Sequence, residues 1–167
     1  MLTLKRINYE DKEKQYLFVK DIPYDENGFI NEYSGISKEE FESKAIPTLI
    51  AHEKGECLPE GYVPETYYFL WDGDTIVAQF RLRHYLCESL VNGAGHIGYY
   101  VGKEFRGRGY ATKGLALLLQ EARSIVPEDE YYLRVNKDNT ASLSVMLKNG
   151  GYIHHEDDSK IYVRIKK

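Results

Sequence analysis

Apolar positions recur with two periods along this chain, and the clearest example of each stands in its second half. From Ala111 onward Leu115, Leu118, Leu119, Ala122 and Val126 fall on one helical face, with Lys113, Gln120, Glu121 and Arg123 among the polar positions. That spacing predicts a long helix with one buried stripe, closed by Pro127. Upstream, Ile97 to Val101 is a short β-prone run that predicts a buried strand ended by Gly102 and Lys103. Between them lies Arg106-Gly107-Arg108-Gly109, so the order is strand, glycine-rich turn, helix.

The remaining pattern predicts a mixed α/β (α+β) chain. Leu2 to Ile7 reads as a strand and Tyr9 to Val19 as a helix; Asp25-Glu26-Asn27-Gly28 is a turn. Ser37-Lys38-Glu39-Glu40 is a capping box ahead of Phe41, Ala45 and Leu49 on one helical face, which Pro47 should kink or divide. Lys54 to Glu65 reads as a long loop of the kind that often carries binding elements, and a ligand entrance is placed near it. Tyr67 to Trp71 and Thr75 to Leu86 make a hairpin around Asp72-Gly73-Asp74. Its second strand should turn Ile76, Ala78, Phe80, Leu82, His84 and Leu86 to one face, and Val77, Gln79, Arg81, Arg83 and Tyr85 to the other. Glu88 to Gly95 is a polar turn. Tyr131 to Val135 is a strand, and Asn139 caps a short helix with Leu143, Met146 and Leu147 inward and Gly150 at its left-handed end. Tyr152 to His155 and Ile161 to Ile165 close the chain as two strands joined by Glu156-Asp157-Asp158-Ser159. A mostly antiparallel sheet flanked by helices accommodates this order.

Length and charge narrow the picture. The 167 residues fit one domain. A net charge of −4 argues against general nucleic-acid binding and slightly favours a cationic amine as substrate. The first residues run into charged Glu10 to Lys14 without an apolar stretch, so neither a signal peptide nor a membrane span is expected. Cys57 and Cys87 lie far apart and outside any C-x-x-C pattern, which points to free thiols and a cytoplasmic location rather than a disulfide or zinc site. No metal site is expected. His154-His155 with Glu156 to Asp158 has metal-ligand residue types, but neighbours on a strand face opposite sides, so a surface hairpin is the expectation.

The chemistry begins at the turn. The first turn of a helix carries unpaired N–H groups and the positive end of a dipole, and two arginines precede this one, so a phosphate or diphosphate would be bound there. Neither the P-loop ending nor G-x-G-x-x-G is present. The run Arg106, Gly107, Arg108, Gly109, Tyr110, Ala111 instead resembles motif A of the GNAT (Gcn5-related) N-acetyltransferases, Gln/Arg-x-x-Gly-x-Gly/Ala, with Val101 five residues upstream. A second match follows in order: Tyr131 to Val135, then Asn136, Asn139, Ser142, Val145, Lys148 and Gly150-Gly151-Tyr152. The resemblance covers roughly residues 66–156. Gly61 to Pro64, Arg83 to Leu86 and Gly95 to Tyr99 also look like a bacterial branch of predicted acetyltransferases.

The resemblance implies a GNAT-like fold with acetyl-CoA as co-substrate, in which residues about 1–65 are substrate-side helices and loop, about 66–156 the acetyl-CoA-binding core and about 157–167 a closing strand. Its diphosphate would rest on backbone N–H groups from Arg106 to Ala111, and its pantetheine would pair with the strand edge at Tyr99 to Val101. In that family a bulge in this strand aims an N–H at the thioester oxygen, which assigns an oxyanion role to the backbone around Tyr99 and Tyr100. Asn136, Asn139 and Ser142 would meet the pantetheine or its water, with helix capping the competing role for Asn139. Many members protonate the leaving thiolate with a tyrosine where this chain has Met146, so the acid is open among Tyr110, Tyr152 and a water held by Asn136 or Ser142. Candidates for the base are Glu88 and His84. His96 either meets substrate or closes the turn after Gly95. The reaction implied is acetyl transfer to a primary amine, on a small molecule or a protein N-terminus, by direct attack. An acyl-CoA sensor without turnover and a transferase using another acyl-CoA donor are the rivals, and a homodimer is left open.

Overall fold

In the computed structural model, which describes residues 1–167, strand β1 (Leu2–Arg6) leads to helix α1 (Lys12–Val19) and a small hairpin of β2 (Asp25–Glu26) and β3 (Phe29–Ile30). Asn27 and Gly28 form its turn with φ of 53° and 84°. Positive φ at both central residues matches the twist of paired strands, and Asn-Gly adopts it at low cost. The Ser37 hydroxyl caps the next helix by accepting the Glu40 N–H at 3.2 Å. That helix has three parts: α2 (Lys38–Glu40), a π-helical turn (Phe41–Ala45) and α3 (Ile46–Glu53). Pro47 divides it, since a proline lacks an N–H and crowds the carbonyl four residues back. The turn before it widens until the Ile46 N–H meets the Phe41 carbonyl.

Next come β4 (Glu65–Asp72), β5 (Thr75–Arg83), the single turn α4 (Glu88–Val91), β6 (Ile97–Val101) and α5 (Tyr110–Ala122). The chain ends with β7 (Glu130–Asn136), α6 (Thr140–Lys148), β8 (Gly151–Glu156) and β9 (Lys160–Lys166). Strands β1-β4-β5-β6 pair antiparallel in one sheet and β7-β9-β8 in another. The central sheet is therefore split in two. Helix α5 ends in a turn at Arg123, before Pro127, although Val126 is still buried.

Two cores explain the run of buried residues from Thr66 to Trp71. On one face Leu70, Ala78, Phe80 and Leu82 pack with Leu115, Leu118 and Ala122 of α5 and with Leu133 and Val163 of the second sheet. On the other, Tyr67, Phe69 and Trp71 pack with Val19, Phe41, Ile46 and Leu49. A strand covered on both faces reads as a continuous apolar run.

Three details depart from simple periodicity. Leu70 pairs with Ala78 but Trp71 with Ile76, so Val77 is an extra residue and Ile76 joins Trp71 on the face opposite Ala78. A second bulge in β8 leaves His154 unpaired. It brings the two adjacent imidazoles together, Nδ1 to Nδ1 at 2.8 Å, where alternation predicts opposite faces. Both rings are exposed, His155 stacks on Tyr162, and no group of three or more potential metal ligands forms there. In α6 Met146 is buried but Leu147 points outward.

Glycine is required inside α5. A Cβ on Gly114 would lie 2.4 Å from Phe80 Cζ and 3.0 Å from Leu70 Cδ2, so only a bare Cα lets the helix lie this close to β4 and β5. Alanine in place of a mid-helix glycine normally gains about 1 kcal/mol. Here overpacking, which costs about 1–3 kcal/mol, should exceed that gain. Gly114→Ala is therefore expected to lower the urea midpoint, and a raised midpoint would show that Phe80 yields freely.

Candidate active site

Strands β6 and β7 begin side by side and then part. The His96 N–H donates to the Tyr132 carbonyl at 2.7 Å, just where both strands start. Beyond it β6 pairs only with β5, and β7 only with β9. Because α5 connects them as a crossover, the two run the same way and leave a wedge between their ends.

His96 pins the closed end of that wedge. Its side chain is fully buried, and Nδ1 accepts the Tyr132 N–H at 2.9 Å. The proton is therefore on Nε2, which donates to Glu128 Oε2 at 3.1 Å, and Glu128 Oε1 accepts the Leu86 N–H at 2.7 Å. Burial pushes the Glu128 carboxyl up, but the Leu86 N–H and His96 together hold it below its ordinary value. Of the two roles read for His96, the structure shows a structural one. Gly95 is obligatory beside it, since a Cβ there would stand 2.2 Å from the Tyr132 carbonyl oxygen.

The open end is a cavity of about 600 Å³. Tyr99, Tyr100, Val101, Arg106, Gly107, Gly109, Tyr110, Ala111, Asn136, Asn139 and Ser142 line it, and Arg108 does not. None of the backbone N–H groups from Gly107 to Thr112 meets a carbonyl, and Gly109, at φ 77°, precedes α5 with no side-chain cap. A Cβ on Gly107 or Gly109 would meet nothing within 4 Å, so the turn is open to a ligand. Arg106 does not reach outward. It donates from Nε to the Val101 carbonyl at 3.1 Å, pairs through Nη2 with Glu26 at 3.0 Å and lies over the Tyr100 ring, bracing the turn against the β2–β3 hairpin.

Strand β6 also presents free backbone. The Arg83 N–H bonds the His96 carbonyl and the Gly102 N–H bonds the Val77 carbonyl, so by alternation Gly98 and Tyr100 serve the β5 ladder. Tyr99 and Val101 turn their backbone groups toward the wedge. The β5–β6 pairing has no register shift, so the bulge expected in β6 is absent from that ladder and alternation alone aims the Tyr99 N–H.

Side chains on the lining are mostly engaged. Asn139 Oδ1 accepts the Ser142 N–H at 3.3 Å as a helix cap, and Asn136 Oδ1 accepts from Lys160 Nζ. The Tyr99 hydroxyl crosses to α6, 2.7 Å from Ser142 Oγ and 3.1 Å from the Ser142 carbonyl, and burial pushes its pKa up to about 12. The Tyr110 hydroxyl donates to Asp72 at 2.6 Å. Three other candidates fall outside the lining. His84 bonds Thr66 at 2.8 Å, Glu88 is exposed on α4, and Tyr152 donates to Glu130 at 2.6 Å. The loop at 54–64 contributes no residue; the β2–β3 hairpin supplies Glu26 to Ile30 instead. Asn27-Gly28 was the signal for that hairpin. Nothing in the sequence marked Arg134 or Lys160 as cavity residues.

A split sheet, a glycine-lined helix start and a cavity between them are features that other proteins share. The family model for the acetyltransferase (GNAT) domain matches residues 25–151. The chain belongs to the GNAT acetyltransferases. It is therefore an acyltransferase by family. No curated protein sequence matches it. Among solved structures it resembles the ribosomal L7/L12 α-N-protein acetyltransferase RimL in complex with coenzyme A, at 19% identity and TM-score 0.69 over 99% of this chain and 94% of that one. The ribosomal-protein-S5-alanine acetyltransferase of Vibrio fischeri gives 13% and 0.70 over 99% and 92%. The N-acetyltransferase PseH of Campylobacter jejuni in complex with acetyl coenzyme A gives 15% and 0.62 over 100% and 99%. At such identities these likenesses establish the shared fold.

Burial holds the His96 imidazole below its ordinary value of 6.5, even though Glu128 works in the opposite direction. The unfolded chain takes up a proton as pH falls through 6.5 while the folded chain resists it, so this stabilisation is complete above that pH and is lost below it. Urea unfolding at pH 7.5 and 5.5 should show that loss in the wild type. His96→Asn should be less stable at pH 7.5 and lose less on acidification, the remainder coming from His84, which burial also holds low. Equal losses in the two proteins would remove His96 from this account.

Proposed function

We propose that this acetyltransferase moves an acetyl group from acetyl-CoA to a primary amine by direct attack. The row of N–H groups from Gly107 to Thr112 without carbonyl partners, opening onto the same cavity as the free edge of β6, carries this reading. Unpaired donors at a helix start suit a diphosphate, and a free strand edge suits the amides of pantetheine. The Tyr99 N–H is aimed to hold a thioester oxygen as it gains charge. Acetyl-CoA supplies the activated acyl group; the new N–C bond forms as the C–S bond breaks.

Two protons must move. An alkylamine of pKa about 10.4 is neutral in roughly one molecule in 2,500 at pH 7, and only that form attacks. The lining offers no histidine, and its one carboxylate, Glu26, is held by Arg106, so the amine proton leaves to water. The departing thiolate takes a proton from the Tyr99 hydroxyl, which burial keeps protonated and Ser142 keeps in place, and Tyr99 regains a proton from the water that received the amine's. Tyr99 thus stands in for the tyrosine replaced by Met146. Exposed Cys57 and part-exposed Cys87, both unpaired, fit a cytoplasmic enzyme.

Chromatographic detection of CoA released from acetyl-CoA with a panel of amines tests the reading. Gly109→Glu places bulk and like charge at the phosphate cradle and should abolish acetyl-CoA binding; retained affinity would sink the assignment. Tyr99→Phe should lower kcat by about a hundredfold with the KM for acetyl-CoA nearly unchanged, as expected for loss of a general acid. Tight binding without release on any amine would favour the sensor, and the mass of a co-purified ligand would reveal another acyl donor.

A further inference from the structure

The cavity passes through the wedge to the sheet face opposite α5, where the β2–β3 hairpin roofs it. Along β5 Arg81 and Arg83 flank Leu82, which packs in the α5 core, and along β7 Arg134 stands between core residues Leu133 and Val135. Strand side chains alternate, so these three guanidinium groups leave the sheet on the far face. Gly98, between them on β6, adds no side chain, and Lys160 stands beside Asn136. The hairpin is tied down over them: Arg81 Nη2 donates to the Ile30 carbonyl at 2.7 Å, and its guanidinium lies over the Phe29 ring.

The charge there is one-sided. Six basic residues line the cavity, Arg81, Arg83, Arg106, Arg134, Lys148 and Lys160, against the single acid Glu26. The whole chain has the opposite bias, 26 acidic residues to 22 basic. Glu26 is taken by Arg106, and Glu65 is shared between Arg81 and Arg83 at 3.9 and 4.0 Å. Arg134 and Lys160 form no ion pair, and the Arg134 guanidinium makes no hydrogen bond, since only its backbone pairs with β9. Burial, then Arg81, with a smaller push from Arg134, hold the Arg83 guanidinium below its ordinary value, as expected for crowded like charges. Such a cluster is stable when an anion completes it, and guanidinium groups are matched to the paired oxygens of phosphate and carboxylate.

We propose that the acceptor is an amine that also carries a phosphate or carboxylate, seated on Arg83, Arg134 and Lys160 while its amine points through the wedge toward the Tyr99 backbone. This rests on the acetyl-transfer reading and assigns the substrate class of that site. The same cations repel polyamines, so the wall selects against them as well as for the anion.

The test uses the full chain saturated with CoA, which occupies the cradle and leaves the far face open. CoA is titrated first; failure of the wild type to bind it would overturn acetyl transfer itself. Calorimetry on the CoA-loaded protein then compares glucosamine 6-phosphate with glucosamine, β-alanine with propylamine, and spermidine. At least one anionic amine should bind tenfold or more tightly than its neutral counterpart, and the responding pair distinguishes phosphate from carboxylate. Arg134→Gln should erase most of that preference while CoA affinity stays the same, which shows the variant is folded. Equal binding of anionic and neutral amines, tightest binding of spermidine, no binding of either anionic amine, or a preference unchanged in Arg134→Gln would each overturn the proposal with CoA binding intact.

Discussion

The parting of β6 from β7 is the constraint on which the site depends. Two parallel neighbours that stayed paired would satisfy each other's backbone and leave no room between them. Here one carbonyl and one imidazole at the shared start hold them together, and each then completes its ladder with a different partner. The consequence is a strand edge whose Tyr99 and Val101 N–H groups are free inside the molecule, while the Val101 carbonyl is held by Arg106. Buried backbone groups left without partners are costly, so such an edge persists where a ligand or water completes it. His96 matters because it fixes where the parting begins.

The rest of the fold keeps the wedge open and gives its two sides different chemistry. Bare Gly114 lets α5 lie close against Phe80, which sets the helix start at the mouth of the wedge. On that side the groups are backbone donors. On the other face the side chains of Arg81, Arg83 and Arg134 gather under the hairpin, and cationic charge replaces the dipole. Arg106 joins the two halves through Val101, Tyr100 and Glu26, so the glycine turn and the roof are held in one frame.

The glycine turn before α5 was legible because it is local. Arg106 to Ala111 are consecutive, and their spacing alone fixes a turn before a helix. Asn139 and Gly150 were likewise readable from capping and helix-end chemistry, and the structure shows both features. The acid–base candidates fared differently. His84 and Glu88 lie on or just after the strand next to the central one, but β5 ends at Arg83 and neither residue lines the cavity. Strand alternation separated His154 from His155 on paper, and one bulge brought them together.

The sequence by itself determined the elements and the glycine turn before α5, because helix periodicity, glycine at positive φ and proline's missing N–H act over a few residues whatever surrounds them. Only the tertiary structure decided which strand edges stay unpaired, which loop roofs the cavity, and which charges meet there. Arg83, Arg134 and Lys160 come from three strands far apart in the chain, and no local rule relates them. Their juxtaposition follows from sheet register, and a single bulged residue is enough to turn a side chain to the other face.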